Sequence, residues 1–287
     1  MYLFEDKNGK KQVVDGRQRI SAILDFLEGK FKLNNLRILK QFNGCCFADL
    51  DLKQQGVIED FQLLFYIIQP PTPERVKYDI FDRVNRGGTP LNKQEMRNAL
   101  YRGRCTRMLD KLCCSPEFLI ATGRSINKER MKDQYVVLRA MPFLMLHRGE
   151  FKDIPALQYR GDIDDFLARF MVYVNDNAPE KLIVDYENLF IRCMQISYDL
   201  LGENGFRFSG NGIRRPINMP LFEALSYLFS FVPEKIDYTW ASRLILDIES
   251  VKEEFDDSRY FSGNIDSTTS VSFRFDRMDK IINRIQL

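Results

Sequence analysis

The chain has 287 residues, 45% of them hydrophobic and 29% charged, enough apolar material for the core of one large or two ordinary domains. Its net charge of +2 excludes a uniformly basic nucleic-acid coat and leaves only a local basic groove open. A single histidine, His147, excludes multi-histidine metal sites and a His-Asn-His nuclease centre within the chain.

No apolar run reaches the roughly 18 residues of a membrane span. The N-terminal "MYLFEDKNGKK" puts its apolar residues before its lysines, the reverse of a signal peptide. A cytoplasmic protein without membrane contact is expected. The six cysteines form two adjacent pairs, Cys45-Cys46 and Cys113-Cys114, and two singles, Cys105 and Cys193. None has zinc spacing, so reduced and mostly buried thiols are expected.

In chain order, "QVVDG" reads as a strand and residues 17–28 as a helix with Ile20, Ile23, Leu24 and Leu27 on one face. "FKLNNLRIL" and "CCFADL" read as short strands around Asn34-Asn35 and Asn43-Gly44 turns. "FQLLFYIIQ" (61–69), nearly continuous in apolar character, reads as a buried strand ending at Pro70-Pro71. Thr72 and Pro73 then open a helix whose Val76, Ile80, Phe81 and Val84 share a face and which stops at Gly87-Gly88. Asn92 caps the next helix, with Glu95 placed to complete a capping box.

Beyond residue 103 the periodicity is helical, over 104–113, 128–147, 162–175, 180–201, 216–231, 239–255 and 270–285. His147 closes the second of these and reads as a cation at a helix C-terminus. The Ser/Thr cluster in 260–278 reads as a helix cap, and "GFRFSGNGIRRP" (205–216) as a surface loop or a nucleic-acid contact. The fold class is α+β: a small mixed α/β region over residues 1–102, then a mostly α-helical domain over 103–287.

Two segments carry residues suited to chemistry. In "VVDGRQRIS" a strand runs through Asp15 and Gly16 into a helix that starts at Arg17. Such a helix start presents N–H groups to an anion, and glycine permits close approach. Arg17 and Arg19 offer donor forks for phosphate oxygens, with Gln18 between them. Asp15 can hold Mg²⁺, orient water or pair with an arginine. The same turn also fits a plain helix start, with Asp15 as cap and both arginines in water. In "YDIFDRVNRGGTPLNKQEMRNALY", Arg83, Asn85, Arg86, the Gly87-Gly88 turn, Arg97 and Asn98 form a polar set on a helix-turn-helix connection. Asparagines there suit a base or ribose edge and arginines suit phosphates, while capping and i,i+4 pairing such as Asp79 with Arg83 fit equally.

The order of these segments, with "KERMKDQYVVLRAMPFL" after them, resembles the N-terminal domain of GmrSD-type modification-dependent restriction proteins, which has a ParB/sulfiredoxin-like fold. The family's Asp-Gly-Gln-Gln-Arg turn stands here as Asp15, Gly16, Arg17, Gln18 and Arg19. Its Phe-x-Arg-x-Asn-x-Gly and Glu-x-Arg-Asn elements fall on Phe81, Arg83, Asn85, Gly87 or Gly88, Glu95, Arg97 and Asn98. A Gln-Arg pair and a tryptophan that members carry upstream of the turn have no counterpart, the one tryptophan being Trp240.

The resemblance implies binding and hydrolysis of a nucleoside triphosphate with Mg²⁺, in a phage-defence system that senses modified DNA. Asp15 and Arg19 would be catalytic, Asp15 would meet the metal, and Gly16, Arg17, Gln18, Arg83, Asn85, Arg86, Gly87, Gly88, Arg97 and Asn98 would hold the nucleotide. DNA and a separate nuclease subunit are the partners it implies. A non-catalytic adaptor that grips DNA backbone through the same arginines is the alternative.

Overall fold

The computed structural model describes all residues except 6–8, 70, 73–75, 78–79, 81–82, 84–90, 210–213, 234–236, 259 and 286–287. The chain divides into two compact units, Met1–Leu91 and Asn92–Leu287. The first holds a small mixed sheet and the second is helical, which is the expected α+β arrangement.

In the first unit, strands β1 (Tyr2–Glu5), β2 (Lys11–Asp15) and β3 (Tyr66–Ile68) lie in the order β2-β1-β3. Strand β1 is antiparallel to β2 and parallel to β3. Tyr2 pairs with Asp15 and Leu3 with Val13, so the register slips at Val14, just ahead of the charged turn. Such bulges bend a strand and re-aim the side chains beside them. Tyr2 stacks on Tyr66 at 5.3 Å across the parallel pair, and Lys77 Nζ lies 4.3 Å from the ring of Phe4.

Helices α1 (Arg17–Leu27) and α2 (Leu52–Glu59) follow, with single 3-10 turns at Lys40–Phe42 and Phe47–Asp49 between them. In α1 the buried residue is Phe26, which meets Phe31 and Phe47; Leu24, expected on the inner face, is 51% exposed. The strands expected in 31–39 and 45–50 do not form. There the Asn43 side chain accepts from Leu36 N–H at 2.8 Å and donates to Leu36 C=O at 3.2 Å. It thereby takes the place of a neighbouring strand. Helix α2 was not expected, although Asp51 and Gln54 form a complete capping box at its start. The expected buried strand 61–69 shrinks to three residues at a sheet edge, with Phe61, Leu64 and Tyr66 exposed. Of the expected helix after Pro73, the described Val76, Lys77, Ile80 and Arg83 are helical, and its remaining positions lie outside the described residues.

The second unit contains α3 (Lys93–Leu100), α4 (Arg104–Cys113), α5 (Pro116–Ala121), α6 (Lys132–His147), α7 (Ile163–Asp176), α8 (Glu180–Leu201), α9 (Met219–Phe229), α10 (Tyr238–Asp257) and α11 (Thr268–Ile285). Local signals placed most of these. Asn92 and Glu95 close the predicted capping box on α3, and Ser267 Oγ accepts from Ser270 N–H at the start of α11. Helix α6 begins later than its apolar pattern because Arg130 and Met131 take left-handed φ values of 55° and 59°. Helix α9 is buried on all sides from Pro220 to Phe229 and packs on α6, α8 and α11. This placement suits a helix without a polar face.

A buried charge network ties the centre of this unit. Glu223 of α9 accepts from Arg139 Nε of α6 at 2.5 Å and from Arg274 Nη2 of α11 at 2.6 Å. Arg139 also reaches Asp266 at 2.6 Å. All six cysteines are free; Cys105, Cys113 and Cys193 are buried, whereas Cys114 is exposed. Burial pushes the Cys193 thiol up to about 12.

His147 ends α6, yet it is not the expected C-terminal cation. Its ring stacks on Phe275 at 3.7 Å, and burial, aided by the nearby Arg274, lowers its pKa to about 4. The unfolded chain therefore binds a proton near pH 6.5 that the folded chain refuses until about pH 4. Its contribution to stability is complete above pH 6.5 and is lost as the pH falls through 4. Between pH 7 and 4.5 this amounts to a loss on the order of 2 kcal/mol. Urea denaturation at those two pH values should show a smaller difference for His147→Phe than for the wild type.

Candidate functional site

The charged turn sits where β2 passes into α1. Gly16 is the N-cap of α1 with φ 97°, a left-handed conformation that suits glycine. No side chain caps the helix, so Asp15 is not the plain cap that the turn alone allowed. The first helical bond runs from Ile20 N–H to Gly16 C=O at 2.8 Å, and the N–H groups of the first turn are left for another acceptor. Arg17, Gln18 and Arg19 are exposed around this opening.

Asp15 and Arg19 meet at 2.5 Å, one helical turn apart, with the arginine side chain 60% exposed. Such a pair is worth little in water, so a ligand can open it at small cost. Behind the turn, a Cβ on Gly16 would stand 2.8 Å from Met1 Cγ. That contact between the first residue and the turn had no signal in the sequence pattern, because it depends on the pairing of β1 with β2. Gly16→Ala should lower stability by about 1 kcal/mol or more through the left-handed backbone, read as a lower urea midpoint.

The second motif divides. Arg83 is helical and exposed, while Asn85, Arg86, Gly87 and Gly88 lie outside the described residues. Arg97 and Asn98 belong to α3 in the helical unit. Arg97 is fully buried: it pairs with Asp164, donates to Gln94 Oε1 at 3.1 Å and lies over the ring of Tyr135. Asn98 accepts from Gln94 at 2.9 Å and donates to Gln134 and to the Met131 sulfur. Glu95 serves the cap of Asn92 and pairs with Arg130, which holds its carboxyl below the usual range. These side chains build the end of the helical unit.

The arginines of 205–216 are likewise engaged within the fold. Arg207 is buried and donates to the carbonyls of Thr122 and Glu203, Arg214 pairs with Glu203 at 2.7 Å, and Arg215 pairs with Asp256.

Phosphate and metal place different demands on the turn. Open helix N–H groups, a glycine that admits close approach and two exposed guanidinium groups fit a phosphate. For Mg²⁺ the turn offers one carboxylate, Asp15. Among the described residues, no group of three or more His, Cys, Asp or Glu side chains could hold a metal. Mg²⁺ usually takes one or two carboxylates together with waters and phosphate oxygens. The turn thus fits a cation that arrives with a nucleotide and does not fit an all-protein cage.

Residues 1–102 match the family model described as the GmrSD restriction endonuclease, N-terminal domain. The match takes in both motifs, so the ordered resemblance and the family model agree on one segment. No curated protein and no solved structure gives a significant match. Among the described residues, no helix is long and apolar enough to cross a membrane.

Proposed function

We propose that this chain is the nucleotide-binding and nucleotide-hydrolysing component of a modification-sensing restriction system used in phage defence. The observation that supports this reading is the Asp15–Arg19 turn: a left-handed glycine, an uncapped helix start and exposed arginines, within the segment similar to the GmrSD N-terminal domain. In the proposal the N–H groups at Gly16 to Gln18 cradle phosphate oxygens and Arg17 holds a phosphate. Arg19 leaves Asp15 to neutralise the charge that develops on the transferred phosphoryl group. Asp15, once released, would orient the attacking water and would be the residue that holds the Mg²⁺. When bound, Mg²⁺ would supply neutralisation of the phosphate charge.

Arg83, Asn85, Arg86 and the Gly87-Gly88 turn are proposed to close over the nucleotide, with Arg97 and Asn98 anchoring the chain that follows them. DNA and a separate nuclease subunit are the proposed partners. The test is release of inorganic phosphate from nucleoside triphosphates with Mg²⁺, by the wild type and by Arg19→Ala. Equal release by the two proteins would sink the proposal. Salt-dependent DNA binding with no phosphate release would favour the adaptor alternative.

A further inference from the structure

The helical unit contains a cleft of about 420 Å³ outside the two segments read for chemistry, with Lys128 and Asp133 of the "KERMKD" stretch in its lining, a volume in the range of small-ligand pockets. Its apolar wall is formed by the half-buried Leu119 in α5 and Ile126 in the loop that follows, with the buried Phe118 and, at the end of α4, Cys113 behind them. Asp133, in the first turn of α6, lines it too, and Arg124 and Lys128 line it from the same loop. All of these residues belong to one compact unit.

Three observations point to a ligand. Asp133 is only 9% exposed, yet its one hydrogen-bond donor among the described residues is the N–H of Gln134 at 2.8 Å. A carboxylate so nearly buried and so short of donors is costly unless another group supplies them. The start of α6 favours a negative charge there, and with one accepted hydrogen bond Asp133 keeps acceptor capacity at the lining of the cleft.

Arg124 and Lys128 are exposed, and neither has a carboxylate partner among the described residues. Neighbouring Arg130 and Arg214 do have such partners, in Glu95 and Glu203. The loop is also held in left-handed backbone at both ends, at Arg124 with φ 50° and at Arg130 and Met131 with φ 55° and 59°. Each such residue costs on the order of 1 kcal/mol, and strain of this kind collects at ligand clamps.

We infer that this cleft binds a nucleotide whose base carries an amino group. The base lies along the apolar wall and donates from its amine to Asp133, while the phosphate meets Arg124 and Lys128. A carboxylate accepts from an exocyclic amine as it does from cytosine N4. Apolar side chains tolerate the face of any base, and a guanidinium with an ammonium holds a phosphate. A free amino acid would offer an ammonium to Asp133 and a carboxylate to the basic pair, and phenylalanine, which can also cover the apolar wall, is the competing ligand to test. This site is separate in sequence from the Asp15–Arg19 turn and does not depend on turnover there.

Calorimetry on the full chain tests the inference, in an Arg17→Ala and Arg19→Ala background that removes both guanidinium groups of the turn, so that a signal lost with Asp133, Arg124 or Lys128 belongs to the cleft. The probes are the monophosphates of adenosine, guanosine, cytidine and uridine, with ribose 5-phosphate and phenylalanine as partial ligands. At least one of the three amino-bearing monophosphates should bind with a Kd below about 1 mM. Uridine monophosphate and ribose 5-phosphate should bind at least about 10-fold more weakly, and Asp133→Asn should cost a similar factor. Should Asp133→Asn fail to fold by circular dichroism, the exposed pair Arg124→Ala and Lys128→Ala decides, with the same loss expected. Absence of binding, equal binding of ribose 5-phosphate, tighter binding of phenylalanine, or binding indifferent to these substitutions would overturn the inference.

Discussion

Arg19→Ala is expected to lower the kcat/KM for phosphate release by about 10- to 100-fold, the loss of one charge-assisted contact to a phosphoryl group. The same substitution should barely move the thermal midpoint. Arg19 is 60% exposed, its one ion pair among the described residues is with Asp15, and an exposed i,i+4 pair is worth only about 0.3–0.5 kcal/mol. The contrast between the two readouts is the informative part, because a merely structural arginine would move the midpoint and leave turnover per folded molecule unchanged. Arg19→Lys keeps the charge but loses the planar fork, so an intermediate rate is expected.

Glu223→Ala is expected to be the most destabilising of these substitutions, by about 3–5 kcal/mol, seen as a lower urea midpoint for the helical unit. Glu223 is fully buried and is shared by Arg139 and Arg274, which are themselves buried. Without it, Arg139 keeps Asp266, but among the described residues Arg274 retains only the Ile265 carbonyl and the faces of Phe143 and Phe275. A cation stranded in the core is the costly outcome, and the cost comes from the partner left behind more than from the pair that is lost. Replacing Arg139, Glu223 and Arg274 together by apolar residues of similar volume should therefore recover much of the stability. Failure of that triple variant to recover would show that the network also sets the packing of α6, α9 and α11.

The sequence by itself determined whatever depends on neighbours a few residues apart. Helical periodicity placed α4 over 104–113 and α8 over 180–201, and the Asn92 box placed the start of α3. The ordered Asp15–Arg19 and Arg83–Asn98 motifs located the segment that matches the GmrSD N-terminal domain. The capping box of α2 is legible in Asp51 and Gln54 as well, but the apolar runs around it have the character of strands.

Only the tertiary structure decided the roles that depend on distant partners. Arg19 and Arg97 are the same residue type in motifs of similar appearance, yet one is 60% exposed and the other fully buried, because Asp164 lies 67 positions beyond Arg97. His147 has a local setting that favours a cation, and its contacts with Phe275 and Arg274 make it a neutral core ring. The bulge at Val14 and the contact of Met1 with Gly16 arise from strand pairing. Periodicity records which face of an element is apolar; it does not record what that face meets. Burial and charge pairing are set by contacts across the fold, and so the chemistry of each arginine was settled there.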